Sequence, residues 1–534
     1  MKKLLIPAAI LLLAAISCNE SPRSAFNRKV ADYAVVTIEA PDLSGITDNG
    51  KEVLNLYRFA ADQRDSIYWK QYFGDRETLL GSIEDPAQKT FAEINYGPWD
   101  RFNGRSFVEG WSDRPLGAGF YPADMSVSEF EEWNCAEKSS PYTLVRRDEN
   151  GALKTVWYHD EYKENLEKIA SYLKAAADIT IKPSVKNYLL KKADALLSDN
   201  YYDSSIAWLE MNDSKMDLVI GPDEVTDDQL LGIKRSYEAF VFLKNQARTD
   251  ELTQYVSSLP SFQEELPGDP AYKAFQPGAG SNIFSCDALY YAGKANAGVK
   301  VIAINRPFDA DVQADMGTRT ILIENIIKAK YNYIVSPMGE LLLDPAFSAH
   351  LSYEAFFWNI VFREVAHGLG VKQTLDGKGS VIEALGKTAP TMETIKANTA
   401  GVLLVCSLQN HYDIHHIFTK EDALTTFFAS ILRSVRFGEG STLGRSNFII
   451  YNYLGEKGAY QRKASGQYTL DLAKMEEALS ELTATVLKIQ ATGDLDAALE
   501  LENNYSKKGA NNDADVLAAG LEKIPADIRF NFVR

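Results

Sequence analysis

Apolar residues recur every three to four positions through "YKENLEKIASYLKAAADI" (162–179), and the same spacing runs over residues 50–80 and 160–200. That period places them on one face of an amphipathic helix. Between these stretches the period changes. "YTLVRRDENGALKTVWY" (142–158) alternates around an Asn-Gly pair, the pattern of a β-hairpin. "RPLGAGFYPADMSVSEFEEW" (114–133) reads as a Gly/Pro turn followed by a helix capped by Ser126 or Ser128. "MDLVIGP" (216–222) and "VKVIAINRP" (299–307) are short β-branched runs closed by Gly or Pro and are expected to be strands. The Pro- and Gly-rich stretch 257–282 is expected to be a long surface loop or a crossing between lobes. From about residue 320 strand signals nearly vanish, and four helical patterns follow: "AFFWNIVFREVAHGLG", "METIKANTAGVLLVCSLQN", "EDALTTFFASILRSVRFG" and "LAKMEEALSELTATVLKIQ". The expected class is α+β, predominantly helical, with the strands in the first part of the chain.

Composition adds size and compartment. A chain of 534 residues, 46% hydrophobic, holds enough material for two or three domains at roughly 100–200 residues each. Its first eighteen residues, "MKKLLIPAAILLLAAISC", combine a basic start, a short apolar run and small residues before Cys18. "Ala-Ile-Ser-Cys" resembles a bacterial lipobox, so Cys18 is the expected lipidation site, and the chain is expected to be anchored in a bacterial cell envelope, facing the periplasm. Ordinary secretion with cleavage near Ser17 is the alternative. No later segment is apolar for long enough to cross a bilayer, which takes about 20 residues. Cys135, Cys286 and Cys406 lack any paired spacing and are expected to be free thiols. The net charge of −17 would become −19 without Lys2 and Lys3. No basic tract offsets it, which argues against nucleic acid as a partner.

The chemistry is concentrated in residues 363–367, Arg-Glu-Val-Ala-His. The two-histidine zinc pattern His-Glu-x-x-His works because residues four apart share a helix face. Both imidazoles then reach one ion, and the Glu acts on its bound water. Here Arg363 stands where the first His belongs, and a guanidinium cannot ligate zinc.

"EVAHGLG" followed by "TMETIKANTAG" resembles the dipeptidyl peptidase III family of zinc metallopeptidases, especially its short bacterial branch. "RPLGAGFYPADM", "SPYTLVRRDENG", "DLVIGPDE", "YYAGKANAGVKVIAIN", "ILRSVRFG" and "NYLGEKGAY" extend the resemblance, in order, from about 110 to 460. It implies two lobes around a wide cleft. The expected boundaries are a leader at 1–18, a mixed lobe at 19–325, a helical lobe with the former zinc helix at 326–500, and a segment at 501–534 packing back on the first lobe. It also implies that the family's first His ligand falls on Arg363, its second on His367 and its catalytic base on Glu364. Its third ligand falls on Thr394. The acid supporting the first His falls on Asn398, and Glu393 remains as the partner of His367. A later His thought to aid the transition state falls on Leu443. The expectation is a degenerate member without zinc, the family cofactor, with Glu364 a vestigial base. Arg363 would replace the ion by pairing with Glu393 or Glu364, or be an unpaired surface residue.

By the same resemblance, Asn305 borders the peptide cleft and could hold a ligand backbone amide. Glu224 could receive a peptide's amino terminus. Their plainer readings are a turn residue and a loop carboxylate. Retained peptide binding by strand addition is the expected residual activity. The alternative is a working hydrolase with a rebuilt metal site, drawing on His367, Glu393 and a histidine of "NHYDIHHIF" (His411, His415 or His416, near Asp413). That segment also reads as a solvated turn. His159 and His350 are expected to be structural. Any protein partner and the oligomeric state are left open by the sequence.

Overall fold

The computed structural model describes residues 22–38, 43–256, 259–273, 282–377, 379–411, 417–436, 440–506, 521 and 523–532. Cys18 lies outside them. Strand β1 (Tyr33–Ile38) precedes the long helix Asp48–Tyr72, whose cap is Thr47 accepting from the Gly50 amide at 3.2 Å. The hairpin β2 (Thr143–Arg147) and β3 (Leu153–Trp157) turns at Asp148–Gly151, with Gly151 at φ +81°. Only a residue without a Cβ adopts that conformation cheaply. Ser126, not Ser128, caps the preceding helix Val127–Glu132.

The central sheet has five strands: β4 (Met216–Glu224), β5 (Ser236–Lys244), β6 (Asn282–Gly293), β7 (Ala303–Arg306) and β8 (Arg319–Ile323). Their spatial order is β4-β5-β6-β8-β7, all neighbours antiparallel except β6 and β8. β7 is therefore an edge. The helix 48–72 covers the sheet with Val53, Leu54, Tyr57, Ala61 and Tyr68 at three-to-four spacing, all buried.

Three expectations are corrected. The 299–307 run is strand only over 303–306. Residues 257–282 are not one loop: a helix spans Leu259–Glu265 and a 3-10 turn spans Pro270–Lys273. Phe262 and Leu266, four apart, are both buried and hold that segment down. Strands also return late in the chain, as the short pair β9 (Tyr460–Arg462) and β10 (Tyr468–Leu470), then β11 (Asp527–Phe532). β11 lies parallel to β1, joining the two ends of the described chain. Buried Asp527 fixes that junction by accepting from Lys330 Nζ at 3.0 Å and from Arg433 Nη2 at 2.8 Å.

The second half is helical: Tyr353–His367, Ala389–His411, Lys420–Val435, Thr442–Glu456 and Leu472–Thr492. The first of these is apolar nearly all round, with Phe356, Phe357, Trp358, Val361 and Phe362 buried, because neighbouring helices cover it. It crosses helix 389–411 at Gly401. A Cβ there would stand 2.8 Å from the Arg363 amide nitrogen, so the backbones meet where any side chain would separate them. One continuous apolar cluster reaches from Val36 through Phe357 to Leu482, so both halves share a core. The class is α+β, predominantly helical.

Candidate functional site

Helix 353–367, capped by Ser352, ends at His367 and carries Arg363 one turn earlier on the same face. The adjoining Glu364 is the partner of Arg363. The guanidinium Nε donates to Glu364 Oε1 at 3.1 Å, and Nη2 donates to the same oxygen. Burial would push the Glu364 carboxyl up, but Arg363 and then His367 oppose this and hold it below the usual carboxylate range.

Glu393 is not the partner of Arg363. It faces His367, with Nδ1 to Oε1 at 3.0 Å, and the same oxygen takes Lys396 Nζ at 2.9 Å. Its second oxygen accepts from Gln490 Nε2 at 3.0 Å. Lys396 wins this acid because it lies three residues further along the same helix, with its side chain wholly buried. Burial again acts upward on Glu393, and Lys396, the His367 hydrogen bond and Lys372 outweigh it, leaving the carboxyl far below its ordinary value. Burial lowers Lys396 itself to about 8, against the pull of Glu393. Lys396 Nζ also donates to the Leu369 carbonyl at 2.7 Å. His367 and Glu393 are thus tied to each other within a network that spans three helices.

The other expected residues are occupied elsewhere. Thr394 turns its hydroxyl back to the Pro390 carbonyl at 2.8 Å within its own helix. Asn398 donates to Asn447 Oδ1 at 2.9 Å in a buried amide pair. Leu443 lies in the first turn of helix 442–456, partly exposed, and lines a small cavity with Arg363, Asn398 and Asn447. Asn305 stands on edge strand β7, but its amide nitrogen donates to Thr318 Oγ1 at 3.1 Å and to Thr320 Oγ1 at 2.8 Å. Glu224 ends β4. It pairs with Lys294 Nζ at 3.0 Å and accepts from the Thr226 hydroxyl at 2.6 Å. An incoming amine would have to displace that lysine.

His411 ends helix 389–411, while Asp413, His415 and His416 lie outside the described residues. Among the described residues, no three His, Cys, Asp or Glu side chains form a group suited to a metal. His159 and His350 each face an aspartate at 2.8 Å, Asp199 and Asp422 respectively. Cys135, Cys286 and Cys406 are free, and burial drives the last two thiols upward, Cys406 to about 12.

Comparison with known proteins decides what this helix pair belongs to. The model of Peptidase family M49 matches residues 129–378, a span that includes helix 353–367. The dipeptidyl peptidase III structure from Caldithrix abyssi superposes with a TM-score of 0.89 at 32% identity, over 95% of this chain and 98% of that one. The chain belongs to the dipeptidyl peptidase III family. The dipeptidyl-peptidase III structure from Corallococcus sp. strain EGB is similar at 29% identity, with a TM-score of 0.85 over 96% of this chain and 97% of that one. An Arabidopsis thaliana protein named Nudix hydrolase 3 is 27% identical over 91% of this chain and 71% of its own length. The fold is that of a two-lobed metallopeptidase, and Arg363, Glu364, His367, Glu393, Thr394 and Asn398 stand on the paired helices 353–367 and 389–411. Sequence reasoning overlooked Gln490 and Asn447, which lie 97 and 49 residues from their partners. Lys396 was visible at three-residue spacing from Glu393.

Proposed function

We propose that the chain is a catalytically inactive dipeptidyl peptidase III relative, lipid-anchored through Cys18 in a bacterial envelope, whose cleft serves to bind peptides. The observation that carries this reading is the cation at position 363. Arg363 is bonded to Glu364, the residue that would otherwise act on metal-bound water. The donor set does not suit zinc. Of the three ligand positions the family resemblance assigns, Arg363 and Thr394 offer no adequate donor. The third, His367, faces Glu393 through Nδ1 and keeps Nε2 for a ligand, so one suitable donor of the three remains, too few for a zinc site. Without a Lewis acid and an activated water, metal-dependent peptide-bond hydrolysis lacks both of its requirements.

Peptide binding is supported by β7, a sheet edge whose outer backbone groups could accept an added strand. A dipeptidyl-arylamide assay on the purified protein tests the inactivity. The expected result is hydrolysis at the background rate, with or without added zinc, and no change in Glu364→Gln. Turnover abolished by that substitution would overturn the reading.

A further inference from the structure

The cavity beside Arg363 has a composition at odds with the rest of the chain. Its volume is about 90 Å³, room for roughly three waters at about 30 Å³ each. Lys330, Arg363 and Arg433 line it, and no aspartate or glutamate does. This occurs in a protein with 73 acidic and 56 basic residues. Asp527 neutralises Lys330 and takes Nη2 of Arg433 without itself lining the cavity. What remains is donor capacity. Nη1 of Arg363 makes no hydrogen bond among the described residues, since Glu364 takes only Nε and Nη2. Nε of Arg433 is buried and has no partner among the described residues.

From this lining we infer that the cavity is a carboxylate-binding subsite, which takes the C-terminal carboxylate of a short peptide lying in the cleft. Arg363 Nη1 and Arg433 Nε each offer one charged donor to a carboxylate oxygen. Asn359 also lines the cavity, and its buried carbonyl oxygen has no partner among the described residues. It is an acceptor for the N–H that precedes a peptide's terminal carboxylate. Phe356, Ile360 and Leu443 supply an apolar wall of the kind a small terminal side chain would use. The inference rests on the proposed peptide-binding role of the cleft. A free small carboxylate is the other source of the same chemistry.

Calorimetric titration of the full chain with tri-alanine, with its C-terminal amide and with acetate separates these. The subsite predicts that the free acid binds at least about tenfold more tightly than the amide, the worth of one charge-assisted hydrogen bond. In Arg363→Gln the two forms should bind equally. Arg433→Gln should do the same, but Arg433 also holds Asp527, so Arg363→Gln is the decisive variant. Equal binding of acid and amide to the wild type would overturn the subsite while leaving the peptide-binding role standing. If neither peptide binds, that role fails instead. Acetate binding that disappears in Arg363→Gln would then keep the subsite with a free carboxylate as occupant, and its absence would overturn the subsite as well.

Discussion

Glu393 stands among three donors and is the acid on which the site's charge balance turns. Replacing it by Gln would leave the Lys396 ammonium, wholly buried, facing an amide rather than a carboxylate. The expected loss is about 2–3 kcal/mol, measured as a shift in the denaturant midpoint at constant slope. Lys396 also sets a pH dependence. Its folded value of about 8 lies below the ordinary 10.5. Between those limits the unfolded chain therefore holds a proton that the folded chain has released. This term makes stability rise as pH climbs through that window. Subtracting the stability profile of Lys396→Met from that of the wild type should leave a positive slope there. A flat difference would contradict the assignment.

The site depends on two helices meeting at Gly401. In Gly401→Ala the new methyl would press on the Arg363 backbone, which cannot swing aside as a side-chain tip does. A loss of about 1–3 kcal/mol is expected in thermal or chemical unfolding. How legible the elements were depends on how local their causes are. The β2–β3 hairpin was readable because Asn150 and Gly151 make the turn themselves. β5 was not, because its core is buried on both faces and reads as an unbroken apolar run rather than an alternation. The helix at 259–265 was hidden by neighbouring prolines and glycines, and two buried side chains decided it. At the site, Arg363, Glu364 and His367 were legible because one helical repeat holds them. Gln490 and Asn447 come from distant helices, and only tertiary packing brings them in.

For the molecule as a whole, the β1–β11 junction ties the end of the chain to both halves. Asp527 concentrates that tie. It is fully buried and carries two cations, and the neighbouring Arg436 donates to the Ile524 carbonyl at 3.0 Å. Asp527→Asn should cost about 3 kcal/mol, since Lys330 and Arg433 lose their counter-charge. Hydrogen exchange should then speed up first in β11 and β1.

If the guanidinium at position 363 has taken the place of a metal, the metal content of the protein shows it first. Purification without chelator, followed by elemental analysis, should find far less than one zinc per chain. The paired substitution of Arg363→His and Thr394→Glu should raise that figure towards one. About one zinc per wild-type chain, lost on His367→Ala, would contradict it.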